Sequence, residues 1–539
     1  MQNTTVDKST MEIIKIDAHE VPFFSEKDKA YMSGDERYAA FFEHPPQIES
    51  FANVIKLKAH QNIDRQLLVD QIREIYSKRQ ISAQQESNIS HLKDELTFTI
   101  TTAHQPSLFT GPLYYIYKIC SALKLVAQCN MHYPEYRFVP IFISGGEDHD
   151  FEEVNHCNIF NKRIEWNENA GGAVGRMPID KLDDVIEEFS SILGDSENAV
   201  KIKEILYTAY NNSRIYKDFS FNLVNELFEK YGLIVLDMDR KAFKKAFSPI
   251  VAEELTHRPS ESIVLNTQEQ LNALGISSQA HPRDVNLFYL KDNYRVRITF
   301  ENGMYQLVDT DISFTQEEIL EELKNHPERF SPNVIMRPLY QEVILPNLAY
   351  IGGGGEIAYW LERKDQFKHF GIPFPMLVRR DSALILDSSA QKQLAKHHLK
   401  LADLFPPIDF VINNYLSKNT DVSIDLSSHK SSLETIFNEI SEDAGTIDPT
   451  IKKWILAEKT KQVKVFDQIE SRLKRTLKQQ EETKINQITK LREKLFPGNG
   501  LQERHDNFFQ YALNDGLELI DALIENFDPL SCDFKIFKL

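Results

Sequence analysis

The chain has 539 residues, 42% hydrophobic and 26% charged, the make-up of a globular protein with two or three structural units rather than one core. With 80 acidic against 62 basic residues the net charge is −18, which disfavours nucleic acid as the principal ligand because phosphate binding draws on a basic face. No apolar run reaches the ~18 residues of a membrane span. The start lacks the features of a secretory signal, and Cys120, Cys129, Cys157 and Cys532 form no CxxC pair, so reduced thiols and a cytoplasmic setting are expected.

In chain order, a short strand is expected at "MEIIKID" after a frayed start. Residues 20 to 95 are helical and polar, broken early by Pro45 and Pro46, and Ile63, Leu67, Leu68, Ile72 and Ile75 share one helical face. The β-rich run "LTFTITTAHQ" ends at His104, and "PSLFTGP" turns into the helix "LYYIYKICSALKLVAQ", with Thr110 as cap and Pro112 in the first turn. A second strand, "RFVPIFIS", ends in "GGEDHD" and another short helix. Two successive strand–loop–helix units predict a parallel α/β sheet with sites at the strands' carboxyl ends. Residues 157 to 185 are an excursion from it; "LIVLDMD" is a third core strand, ending in Asp237 and Asp239. The run "NLFYLKDNYRVRITFENGMYQLV" has hairpin periodicity with turns at "KDN" and "ENG". Residues 331 to 380 return to core composition, with the longest glycine run and a strand at "FPMLVRR".

Past Asp381 the character changes. Between residues 450 and 496 apolar marks at Phe466, Ile469, Leu473, Leu477, Ile488, Leu491 and Leu495 form a heptad-like seam, interrupted at Gln480 and Lys484. Its expected antiparallel partner is "SSAQKQLAKHHLKLADLF". Pro497 and Gly498 stop the long helix, and the remainder reads as a small helix and a terminal strand.

Three stretches carry candidate chemistry. In "TTAHQPSLFTGP" a polar loop meets a helix start, where free N–H groups favour anions, and His104 and Gln105 can donate to phosphate or carboxylate oxygens. Neither a P-loop nor a dinucleotide glycine fingerprint is present, and a tight turn around a buried histidine is the equal alternative. In "GGEDHDFEEVNH", a helix beginning near Phe151 sets His149, Glu152 and His156 on one face, with Glu153 four residues after His149. That spacing suits a metal or acid–base work, against a plain acidic helix start; Gly145 and Gly146 point to a close approach by something, and metal ranks third. In "MRPLYQEVILPNLAYIGGGGEIAYW", Arg337 and Gln341 offer an anion donor and an amide. Gly352 to Gly355 suggest special backbone angles or close approach to a ligand, and Tyr359 and Trp360 either stack on a flat ligand or fill core.

The stretches "TAHQPSLFTGPLYYIYKI", "GEDHDFEEVNH", "RPLYQEVILPNLAYIGGGGEIAYW" and "LQERHDNFF", in this order over nearly the whole chain, resemble the BshC family, cysteine-adding enzymes of bacillithiol biosynthesis. That family usually has a Gly-Pro dipeptide within the glycine run, where this chain has four glycines. The resemblance implies an α/β fold: a Rossmann-type, nucleotidylyl-transferase-like core over residues 1–385, related to class I aminoacyl-tRNA synthetases, with inserted connecting segments near 157–230 and 255–330. It also implies a helical coiled-coil dimerisation domain at 386–496 and a C-terminal segment, 497–539, packing back on the core. The implied reaction joins the carboxylate of L-cysteine to the amine of glucosaminyl-malate. Amide formation is uphill, so ATP or another nucleotide is expected as activator, with an acyl-adenylate as intermediate; Mg²⁺ would come only with the nucleotide, and no metal site is implied.

On that model His104 and Gln105 neutralise charge on the transferring nucleotide, while Asp148 and His149 bind the substrate ammonium or take a proton as the amine attacks. Tyr114, Lys118, Glu147, Arg337, Gln341, Gly353, Gly354, Glu356 and Tyr359 are expected around the substrates, Lys118 equally well as a surface lysine. Arg504 and Asn507 are expected at a second nucleotide pocket near the coiled coil, or equally as capping or dimer contacts. The expected partners are the small-molecule substrates and a second copy of the chain, with no nucleic acid and no membrane. The competing readings are a non-catalytic nucleotide-binding scaffold and a metal-dependent hydrolase centred on His149, Glu152 and His156.

Overall fold

The apolar runs of the first 380 residues become a parallel sheet in the computed structural model, which describes residues 11–168, 171–291, 294–419 and 425–539. Its strands are β1 (Thr97–His104), β2 (Arg137–Ser144), β3 (Ile234–Asp237), β4 (Asn347–Gly352) and β5 (Met376–Arg379). They lie in the order β5-β4-β1-β2-β3, all parallel. This is the strand order of a Rossmann fold, whose direction of winding reverses between β1 and β4 and leaves a crevice beyond their carboxyl ends. β1 and β2 are buried along all but one residue each, which is why they read as unbroken β-branched and apolar runs rather than alternating ones. Their register sets His104 opposite Ser144, and Ser144 opposite Asp237.

Helices α1 (Tyr114–His132), α2 (Tyr216–Phe228), α3 (Lys241–His257), α4 (Arg337–Ile344) and α5 (Gly354–Leu361) connect these strands. The turn before α1 differs from expectation. Thr110 does not cap the helix: its hydroxyl is buried without a partner, and Phe109, Thr110 and Gly111 all have positive φ, at 49°, 68° and 57°. In the helical region before β1 the helix Arg65–Tyr76 follows Phe51–Lys58 as a separate element, because Asp64 caps it by accepting from the Leu67 amide at 2.8 Å. That leaves Ile63 outside the helical face.

One insertion contains the hairpin His156–Ile159/Lys162–Glu165, and another an antiparallel sheet built on Leu287–Lys291, Tyr294–Glu301 and Met304–Leu307. The expected "KDN" turn lies partly outside the described residues. At "ENG", Asn302 and Gly303 both have positive φ, as a two-residue hairpin turn requires.

Beyond β5 stand three consecutive buried charges. Arg379 pairs with Asp28 at 2.9 Å, Arg380 with Glu503 at 2.7 Å and Asp381 with Lys535 at 2.6 Å. A three-stranded sheet of Glu12–Asp17, Asp533–Lys538 and Ser382–Leu386 lies next to them in sequence. The described residues of 11–385 with 502–537 accordingly form one compact unit, and those of 386–501 a second. All four cysteines are free thiols.

In the second unit, α6 (Ser427–Ile447) and α7 (Pro449–Gln480) form a hairpin, and α8 (Glu482–Leu495) follows the break at the polar interruption. Lys430 pairs with Glu470 at 2.8 Å and Lys452 with Glu442 at 2.7 Å, which sets α6 and α7 antiparallel. The partner of the long helix is therefore α6. The segment from Ser388 packs on α8 instead, because only there does the seam, at Ile488, Leu491 and Leu495, turn inward. Ile469 and Leu473 are 45% and 39% exposed, and Ile436, Ile440 and Trp454 of the same hairpin are exposed as well. No described helix is long and apolar enough to cross a membrane.

Candidate functional site

A cavity of about 140 Å³ opens at the carboxyl ends of β1, β2 and β3, lined by Gln105, Ser144, Gly145, Asp148, Asp239, Arg295, Arg337, Gln341 and Tyr359 among others. The two glycines after β2 are explained by the chain itself. A Cβ on Gly145 would lie 3.0 Å from Nη2 of Arg337, so the glycine admits that guanidinium. At Gly146 the backbone of Gly175 closes in, its N–H donating to the Gly146 carbonyl at 2.8 Å.

Asp148 accepts from Gln105 Nε2 at 2.7 Å, from the His149 amide at 2.8 Å and from Arg295 Nη1 at 3.3 Å. Burial pushes its carboxyl up, but His149, Arg295 and Gln105 together outweigh that and hold it well below the usual carboxylate range. Arg295 reaches this point from the inserted antiparallel sheet, its guanidinium lying 3.8 Å from the centre of the Phe288 ring. Sequence reasoning missed it. The one signal was an arginine inside an apolar hairpin strand, in a chain whose acidic cluster had no basic partner nearby.

The remaining carboxylates are neutralised. Glu147 pairs with Lys244 of α3. Asp239 takes a two-pronged bond from Arg176, 2.9 Å on each arm, and Lys217 of α2 bonds Asp237 at 2.8 Å. Among the described residues, Nη2 of Arg337 and the hydroxyl of Ser144 are buried without partners. Gln341 is 5% exposed and donates to Glu342 at 2.9 Å.

Toward β4, the His104 ring packs against Tyr114 and Tyr115, 5.5 and 5.0 Å between centres. Its Nδ1 lies 3.0 Å from the Gln105 carbonyl, which places a proton on that nitrogen. Burial, with the Lys118 ammonium adding to it, lowers the imidazole pKa to about 4. The ring is neutral near pH 7, so the expected positive charge for a phosphate is absent. Lys118 is no surface lysine: it donates to the Ala103 carbonyl at 2.6 Å and pairs with Glu356 at 2.7 Å. Glu356 also accepts from Tyr350 at 2.6 Å and from the Gly353 amide at 2.9 Å. Burial raises its carboxyl, yet Lys118 and these donors bring it down to about 2.

None of Gly352 to Gly355 has a positive φ. The closest approach is at Gly354, where a Cβ would stand 2.7 Å from the Asp28 carboxylate, followed by Gly352, where it would lie 3.1 Å from Cβ of Glu356, so in both cases the neighbour is protein. Trp360, 1% exposed and stacked on Tyr350 at 4.7 Å, lines the cavity from the core side together with Tyr359.

Two expectations fall away. Asn507 is fully buried, and its amide donates to the carbonyls of Phe109 and Gly111, 2.8 Å each, so it holds the positive-φ turn and has no donor left for a nucleotide. Arg504 is exposed, and its charge is felt at Tyr114. The helix after Asp150 has only four residues, Phe151–Val154, and His156 begins a strand, so His149, Glu152 and His156 share no helical face. The described residues that do cluster are Asp148, His149 and Asp150, and the Arg295 guanidinium already lies among them, which opposes a cation there.

Residues 11–381 match the family model described as Bacillithiol biosynthesis BshC, N-terminal Rossmann-like domain, and residues 383–539 the one described as Bacillithiol biosynthesis BshC, C-terminal coiled-coil domain. A Christiangramia forsetii protein named "Putative cysteine ligase BshC" is 40% identical over 523 residues, 96% of this chain and 97% of its own. Proteins of the same name are similar in Flavobacterium psychrophilum, 40% identical over 519 residues (96% of this chain, 97% of that one), and in Bacillus mycoides, 29% over 509 residues (92% and 94%).

Proposed function

The chain belongs to the BshC family, and from that premise we propose that it carries out the cysteine-ligating step of bacillithiol biosynthesis in the crevice beyond β1, β2 and β4. The observation that carries this reading is the convergence of His104, Asp148, Glu356 and the Arg337 cavity at the winding reversal of a Rossmann sheet, where such folds bind their ligands. The bond formed is an amide between the carboxylate of L-cysteine and the amine of glucosaminyl-malate. The carboxylate must lose an oxygen, so a nucleotide serves as co-substrate, in the manner of a nucleotidylyl transferase. A Rossmann-like fold is consistent with nucleotide binding.

The side chains divide the work by charge. Arg337, with an unpartnered nitrogen, and Ser144 receive a substrate carboxylate. Asp148, ionised across the physiological range, holds a substrate ammonium, with Gln105 and Arg295 fixing its direction. Neutral His104, its Nδ1 committed to a carbonyl, has Nε2 for the proton lost as the amine attacks. Lys118, Glu356 and the Gly353 amide fix the floor between β1 and β4, while Tyr114 and Arg504 form its rim. Glu147, Gln341 and Tyr359 shape the cavity, and Gly354 lets Asp28 close one side. The coiled-coil domain is consistent with oligomerisation, and the exposed apolar residues of α6 and α7 suit a homodimer seam. The free thiols suit a reducing cytoplasm.

The test is incubation of purified protein with L-cysteine, glucosaminyl-malate and individual nucleotides, followed by mass spectrometry. Thiol product with stoichiometric nucleotide consumption is expected. Absence of product with every nucleotide overturns the reading, and an adenylated cysteine identifies the activation step.

A further inference from the structure

Two charged neighbours compete for one nitrogen of His149. Nη1 of Arg295 lies 2.9 Å from Nδ1, while Oδ1 of Asp148 lies 3.5 Å from the same atom. Arginine has five donors, no acceptor and a proton it does not surrender, so a bond of this length requires a lone pair on Nδ1. The carboxylate asks for the opposite, a proton on Nδ1.

The nearer contact is also the better anchored. The Arg295 side chain is 6% exposed, stacks on Phe288, and bonds Ser331 through Nε at 3.3 Å and Asp148 through Nη1 at 3.3 Å. Asp148 is already engaged by two shorter bonds, from Gln105 and from the His149 amide. The His149 ring rests against the same Phe288, 5.7 Å between centres, so guanidinium and imidazole are seated on one platform. Among the described residues the other charge near the ring is Asp150, 3.7 Å from Nε2, which favours a proton on that nitrogen; Asp148 first, then Asp150, draw the imidazole pKa upward, while burial and the Arg295 guanidinium oppose them.

We infer that Arg295 is a positioning residue that holds His149 as the neutral tautomer protonated on Nε2, making it a hydrogen-bond donor and not a proton acceptor. The consequence for catalysis rests on the ligase reading of the crevice: the proton of the attacking amine goes to another group, and the His104 imidazole is available. It also gives the inserted sheet a task, because the residue that sets the state of the loop after β2 is contributed from outside the Rossmann core.

Full-length protein labelled with ¹⁵N-histidine tests this directly, with the His149 signals identified by their loss in His149→Gln. At pH 7, long-range proton–nitrogen spectra are expected to show Nδ1 bare and Nε2 protonated. A proton on Nδ1, or an imidazolium, overturns the inference. In Arg295→Met, which has no donor, the proton is expected to move to Nδ1, facing Asp148, and Arg295→Lys, which keeps a donor, is expected to retain the original tautomer. An unmoved proton in Arg295→Met also overturns it, and if that variant does not fold the wild-type spectrum alone decides. The spectra need no turnover, so they succeed or fail independently of the ligase reading. Where turnover is measured, Arg295→Met is expected to lower kcat about tenfold or more and to add an ionisation near neutral pH to its profile. An unchanged profile refutes the catalytic consequence.

Discussion

His104 is kept neutral by burial and by Lys118, and that makes the fold sensitive to acid. An unfolded histidine takes up a proton as pH falls through 6.5, while the folded one resists until about 4. The unfolded chain therefore binds more protons across that window, and stability falls as pH drops through it, by on the order of 2–3 kcal/mol from this group. His104→Gln is expected to flatten that part of the pH–stability curve, read by urea unfolding at steps between pH 7 and pH 4, and to abolish ligase turnover. Asp148, whose carboxyl is depressed, adds stability above the usual carboxylate range that is lost below it, so the His104 variant still unfolds at lower pH. Asp148→Asn is expected to damage turnover far more than Glu153→Gln, since Asp148 has three donors aimed at it and Glu153 is an exposed residue of a four-residue helix. Equal losses in steady-state assays would contradict this. Asp148 and His149 were legible as candidates because charge is packed directly after a buried strand, with a plain acidic helix start as the alternative. Arg295 was not, since nothing local couples a hairpin strand to a loop 147 residues earlier in the chain.

The turn between β1 and α1 illustrates what an element costs when its backbone is unusual. Phe109 and Thr110 sit at positive φ, a region that non-glycine residues adopt only when surroundings insist. The insistence comes from Asn507, whose one amide holds the carbonyls on either side of Thr110. Asn507→Ala is expected to destabilise the protein by roughly 1–3 kcal/mol in chemical denaturation, by leaving both carbonyls buried without donors, and to lower turnover as the His104 loop relaxes. Asn507 of "LQERHDN" thus braces a turn, a role that spacing alone cannot separate from nucleotide binding. The glycine run misled in a similar way, because a glycine reports that something comes close and not what it is. The seam of α7 was legible from its period, but its filling partner was not: a heptad pattern names the face and leaves the occupant to tertiary structure.

At the scale of the whole molecule, the parallel sheet could be read from the sequence because strands buried on both faces are unbroken apolar runs. Their order could not, since placing β4 beside β1 depends on pairing across some 250 residues. The apolar residues that α6 and α7 leave exposed test the proposed homodimer: if they form its seam, Ile469→Lys with Leu473→Lys is expected to leave a monomer by light scattering where the unaltered chain gives a dimer. A dimer that persists would place the seam elsewhere.

The three ion pairs beyond β5 add a demand of a different kind, on the order of synthesis. Lys535, in the final strand, is the counter-charge of buried Asp381, and Lys535→Ala is expected to cost about 3–5 kcal/mol by urea unfolding. A ribosome making this chain finishes the whole Rossmann sheet, and the helical hairpin after it, before that lysine emerges. The half-made protein therefore waits with Asp381 lacking that counter-charge, and a product cut short before residue 535 is expected to be less stable than the full chain.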